Sequence, residues 1–62
     1  ALPPLMELLS DRRPGTRRLA IEAVAELGFQ DPTLRRTLER LAQSDRDDRV
    51  REAARQALLR WK

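Results

Sequence analysis

Apolar side chains recur along this chain in steps of three and four, and strand-like alternation never lasts four positions. Leu2, Leu5, Met6 and Leu9 share one helical face behind Pro3 and Pro4, which a helix tolerates only in its first turn. The segment Ser10-Asp11-Arg12-Arg13-Pro14-Gly15 breaks that run. From Pro14 the positions Leu19, Ala20, Ala23, Val24 and Leu27 repeat up to Gly28, with Phe29 beyond. A glycine just past the last turn, followed by an apolar residue, marks a left-handed helix C-cap. Asp31-Pro32 is an N-cap with proline at the first helical position, and Leu34, Leu38 and Leu41, with Ala42 beside them, form the next stripe. After the linker Gln43-Ser44-Asp45-Arg46, Asp47 caps a last helix lined by Val50, Ala53, Ala54, Ala57, Leu58 and Trp61. The pattern predicts an all-α chain with helices at about 2–10, 14–28, 32–43 and 47–61.

The helices repeat. At an offset of 34 residues Asp11 falls on Asp45, Arg12 on Arg46, Arg17 on Arg51, Ala20 on Ala54, Ala23 on Ala57, Val24 on Leu58 and Leu27 on Trp61. At an offset of 32, Leu2 falls on Leu34, Met6 on Leu38, Glu7 on Glu39 and Leu9 on Leu41. A period in the thirties with two helices per unit predicts antiparallel helix pairs stacked as a solenoid, each unit burying its apolar face on its neighbours. The expected division of residues 1–62 is a half repeat (1–10), a full repeat (11–44) and a half repeat (45–62). The helix from Pro14 is apolar around most of its circumference, because Ile21 and Ala25 extend the stripe past Val24. The matching positions of the last helix hold Arg55 and Leu59, and Lys62 replaces Gly28, so the expectation is a C-terminal end of a longer solenoid.

The residues Leu5-Met6-Glu7-Leu8-Leu9-Ser10-Asp11, running into Arg17 to Gly28, resemble a HEAT repeat of the short type seen in phycobilisome-lyase-like proteins. The stretch from Leu41 to Leu58 is similar to the same pattern and matches it better. Thr16 stands where that pattern and Val50 are aliphatic, and Arg13 takes the place of the capping acid. The resemblance implies a short right-handed α-solenoid of about two repeats. It also implies that Asp11, Arg17, Asp45 and Arg51 form a structural ladder between adjacent repeats. The wheel agrees that Arg17 needs a partner, since it lies between Ile21 and Val24 in the apolar arc, where a guanidinium demands a carboxylate and can fork onto it.

Composition changes the picture only by exclusion. Thirteen basic against ten acidic residues leave a net charge of +3, and twelve of the thirteen cations are arginine. The pI near 11 therefore reflects a small arginine excess in a chain without His, Cys or Tyr. Acids interleave the arginines at helical spacing, as in Arg18/Glu22, Arg35/Glu39 and Asp47/Arg51, which predicts a salt-bridged surface. With no Cys and no His, disulfides, thiol chemistry, His-based metal sites and His catalysis are out. No apolar run is long enough for a bilayer and no signal peptide is visible, so the expected location is cytoplasmic and no membrane partner is expected.

Catalysis is not expected either. Ser10, Ser44, Thr16, Thr33 and Thr37 have no histidine to activate them, and the one lysine is Lys62. Gly15 and Gly28 are isolated, so no loop cradles a phosphate. Asp45, Asp47 and Asp48 have usable spacing for a metal but lack the glycine and closing glutamate of a calcium loop. No cofactor is expected.

A protein-interaction scaffold remains, since solenoids present extended surfaces on rigid helix pairs. Opposite the leucine stripe of the third helix, Arg36, Arg40 and Gln43 form the expected contact strip, with Arg35 and Glu39 on the same outward arc. A further apolar face, Leu2, Leu5, Leu8 and Leu9, is expected to meet the rest of a solenoid or a second copy. The alternative is nucleic-acid binding through Arg12, Arg13, Arg17, Arg18, Arg46 and Arg49, as in HEAT-like proteins resembling DNA glycosylases. Ten acids dilute that field, and one Trp and one Phe make no stacking platform. The phycobilisome-lyase likeness adds a chaperone role in chromophore attachment as a second alternative.

Overall fold

The computed structural model describes residues 5–28 and 30–61. They form α1 (Leu5–Leu8), α2 (Pro14–Leu27), α3 (Pro32–Ser44) and α4 (Asp48–Leu59), and no strand occurs among the described residues. Helix α1 is shorter than the spacing predicts. Ser10 and Asp11 donate to the carbonyls of Glu7 and Leu8, three residues back, so the chain turns where a helix to residue 10 was expected. The expected start at Leu2, with Pro3 and Pro4, lies outside the described residues.

Helix ends follow local chemistry. Gly28 takes φ 73°, a left-handed conformation open to glycine, and its N–H donates to the Val24 carbonyl at 3.0 Å. The Asp31 carboxylate accepts from the N–H groups of Thr33 and Leu34, at 2.8 and 3.2 Å, and caps α3. Asp47 does the same for Arg49 and Val50 and caps α4. Arg13 holds the equivalent position before α2 and makes no side-chain cap, leaving Pro14 to set the first turn. Arg13→Asp is therefore expected to raise the urea midpoint by the equivalent of about 0.5–1 kcal/mol, and Asp47→Ala to lower it by about 1 kcal/mol.

α1 packs on α2, α3 on α4, and α4 also on α2. Pro14, Gly15 and Arg18 share a surface cleft with Asp47 and Arg49. Val24, Ala25 and Gly28 share another with Ala57, Arg60 and Trp61. Like ends adjoin, so α2 and α4 lie side by side and run in the same direction. Leu5 and Met6 similarly border Pro32 and Leu34, which places α1 beside α3 in a second layer. The molecule is 17 Å across its shortest axis, about two helices thick.

The core lies between these layers. Leu9, Ile21, Val24, Leu38 and Val50 are its largest fully buried side chains, and Ala20, Ala54 and Ala57 are buried in the same cluster. Thr37 joins the buried face of α3 by donating its hydroxyl to the Thr33 carbonyl at 3.1 Å. Two expectations need correction. Leu19 and Leu27 are each 64% exposed, because α4 covers α2 on the Ile21 side. Leu9 is fully buried, and Leu5 and Leu8 are partly buried against the core, so these three are not a bare face awaiting a partner. Leu2 lies outside the described residues.

Candidate functional site

Two chain corners meet where α1 turns into α2 and α3 into α4. Each is built the same way. Asp11 accepts the Arg13 N–H on Oδ1 at 2.8 Å, while its carbonyl accepts from Nη1 of Arg17 at 2.7 Å. Asp45 accepts the Asp47 N–H on Oδ1 at 2.9 Å, while its carbonyl accepts from Nη1 of Arg51. An Asx-type turn plus an arginine reaching back six residues satisfies polar groups that the tight corner removes from the helix ladders.

The corners are joined by a forked ion pair. Arg17 donates Nε to Oδ2 of Asp45 at 2.7 Å and Nη2 to Oδ1 at 2.9 Å. The side chains are 14% and 4% exposed, so this is a desolvated, bidentate pair rather than a surface contact. The structure thus brings Asp11, Arg17, Asp45 and Arg51 together in one hydrogen-bonded line. Arg51 does not pair with Asp47, as its spacing suggests. It turns instead to the Asp45 carbonyl and to the exposed Asp48, while Asp47 stays engaged as a cap and lies 3.8 Å from Arg49. Arg18–Glu22 and Arg35–Glu39 pair at 3.5 and 3.8 Å, at the expected i,i+4 spacing.

Burial pushes the Asp45 carboxyl up, but the Arg17 fork and the Asp47 N–H outweigh it and hold it below its ordinary 3.8. The Arg13 N–H lowers Asp11 in the same direction, on an exposed group. A depressed folded-state pKa means that the unfolded chain takes up the proton first on acidification. The stabilisation is complete above the unfolded value and is lost as pH falls through the folded one. The urea midpoint is expected to fall between about pH 5 and pH 3 in the native chain, and to fall less in Asp45→Asn. Equal slopes in the two proteins would show that Asp45 does not carry the acid sensitivity.

The corners border a cleft of about 690 Å³ whose rim carries Arg12, Arg40 and Arg46. All three are exposed, and no ion pair holds any of them among the described residues. Arg36, Arg40 and Gln43 are exposed on α3, and Arg40 alone of that strip reaches the cleft. Arg12 and Arg46 escape the contact strip drawn from the α3 wheel, since the cleft forms only when two corners 34 residues apart are stacked. Their equivalence in the repeat was the available signal. Arg13, Arg17, Arg18 and Arg49 are each drawn to a carboxylate, so the continuous basic stripe that a phosphate backbone needs is interrupted.

No helix among the described residues is long and apolar enough to cross a membrane. Comparison with curated proteins and with solved structures finds no match to the chain. A family model described as HEAT repeats matches residues 1–59, the length over which paired helices, repeated corners and the Arg17–Asp45 fork are laid out. The chain belongs to the HEAT repeat family.

Proposed function

We propose that the chain is a non-catalytic docking module that binds an acidic segment of another protein across α3 and the adjoining cleft. HEAT repeats generally mediate protein–protein interaction and act as scaffolds. The observation that carries the reading is the set of unpaired, exposed arginines. Arg36 and Arg40 stand on α3, and Arg12 and Arg46 line the cleft that Arg40 also borders. Most other arginines are spent on internal partners, so these four keep their charge free for a carboxylate-bearing ligand. Pro14, exposed on the same cleft, offers a little apolar area beside them. Gln43, exposed on the same strip, adds a neutral donor and acceptor.

The test is an affinity capture from host lysate with the native chain, with Arg36→Glu/Arg40→Glu, and with Arg35→Glu as a surface control. The expected result is a protein retained by the native chain and the control and lost from the double variant. Equal retention by all three would remove this surface from consideration. A generic DNA duplex at about 50 mM salt serves as the second arm, because backbone binding is strongest at low salt. No saturable binding is expected there, and tight binding that collapses as salt rises would favour nucleic acid instead.

A further inference from the structure

The interface between α2 and α4 has two unlike sides, and the repeat lets each be moved by one unit. The α4 side consists of Val50, Ala53, Ala57 and Trp61, buried or half-buried against the core and α2. Thirty-four residues earlier these positions are Thr16, Leu19, Ala23 and Leu27 on the opposite flank of α2. Leu19 and Leu27 stand 64% exposed there. The α2 side of the same interface centres on Ile21 and Ala25. Thirty-four residues later these become Arg55 and Leu59 on the outer flank of α4, with Leu59 78% exposed. The chain therefore carries, on its two outer flanks, another copy of each side of an interface that it already contains.

From this we infer that the α2 flank docks the α4 flank of a second copy of this chain, stacked head to tail by the operation that relates α4 to α2. Charge selects this occupant. Ile21, Glu22, Ala25 and Glu26 share one cleft with Ala53, Gln56, Ala57 and Arg60. Moved by one repeat, Arg55 and Arg60 of one copy face Glu22 and Glu26 of the next, while Leu59 meets Leu19 and Ala23. The cleft that holds Pro14, Gly15 and Arg18 with Asp47 and Arg49 becomes one that holds Asp48, Arg49 and Glu52 with Arg13 and Gly15, so the two acids flank both arginines. That contact gives a role to Arg13, the arginine that occupies a cap position without capping. The ion-pair line continues in the same step. Nε of Arg51 and Oδ2 of Asp11 have no partner among the described residues, and their equivalents, Nε of Arg17 and Oδ2 of Asp45, bond each other at 2.7 Å. Two unlike faces make a heterologous contact, so assembly is open-ended rather than closed at a dimer. None of these contacts uses the α3 strip.

The experiment is sedimentation equilibrium of the chain from about 10 µM to about 1 mM, a range that captures weak interfaces, with the salt varied. The average mass is expected to rise past that of a dimer without a plateau and to fall back as salt increases. Leu19→Glu removes one face and Leu59→Glu the other, and both sites are exposed enough to leave the fold intact by circular dichroism. Each variant alone is expected to be monomeric, and an equimolar mixture to give a 1:1 heterodimer and nothing larger. Should either variant fail to fold, Glu22→Arg and Arg55→Glu form a second pair, in which each variant repels further copies of itself and the two restore the charge match when mixed. Arg36→Glu/Arg40→Glu should assemble like the native chain, which separates this contact from the docking strip. A native chain that stays monomeric throughout, a variant that still dimerises with itself, or a mixture that stays monomeric would each overturn the inference.

Discussion

Arg17→Met is expected to lower the unfolding free energy by about 3 kcal/mol, a large fraction of the stability of a domain of this size. The substitution removes a forked partner from Asp45, whose carboxylate is 4% exposed and has no other cation to take over both oxygens. It also strands the Asp11 carbonyl. The cost is dominated by the uncompensated charge, so neutralising that charge should return part of it. Arg17→Met/Asp45→Asn is expected to unfold later than Arg17→Met alone, because the Asn oxygen still accepts the Asp47 N–H. Arg17→Lys should lie between the native chain and Arg17→Met, since an ammonium keeps the charge and loses the fork. The internal control is Arg51→Met. That arginine makes the same reach-back bond to a corner carbonyl, but its carboxylate partner Asp48 is 88% exposed. Its loss is expected to cost under about 1 kcal/mol. Urea titrations followed by circular dichroism rank the set, and equal costs at Arg17 and Arg51 would refute the assignment.

Leu38→Ala is expected to cost about 3 kcal/mol, within the 2–5 kcal/mol typical of truncating a fully enclosed leucine. Ile21→Ala should fall in the same range, because Ile21 is also fully buried. Leu19→Ala and Leu59→Ala should stay within about 0.5 kcal/mol of the native chain at low micromolar concentration, where self-association contributes little. All four are large aliphatics on helices, so composition does not separate them. Only stacking does: α4 covers the Ile21 flank of α2 and leaves the Leu19 flank open. A costly Leu19→Ala with a cheap Ile21→Ala would mean that α2 is turned the other way.

These pairs also show what could be read from the residues alone. Asp31, Asp47 and Gly28 announced three helix ends because caps are decided within three or four residues. The leucine stripe of α3 was plain because it has one buried side. Helix α2 was harder. Its apolar residues spread over two flanks, and the choice between Leu19 and Ile21 depends on α4, some thirty residues away. Spacing pairs Arg51 with Asp47, yet the corner geometry offers it the Asp45 carbonyl. The cleft bearing Arg12, Arg40 and Arg46 is a product of two corners and is invisible to any single helical wheel. Thr37 lies inward on α3 because its hydroxyl donates to the Thr33 carbonyl, a bond that no apolar stripe announces.

The most direct test of the stacked arrangement uses the single tryptophan. Trp61 borders Val24, Ala25 and Gly28, at the C-terminal end of α2. Nuclear Overhauser spectra of the chain are expected to connect the indole ring to those three residues, and Gly15 to Arg49. Indole cross-peaks to Pro14 or Gly15 would place α4 antiparallel to α2 and contradict the stacking on which the account depends.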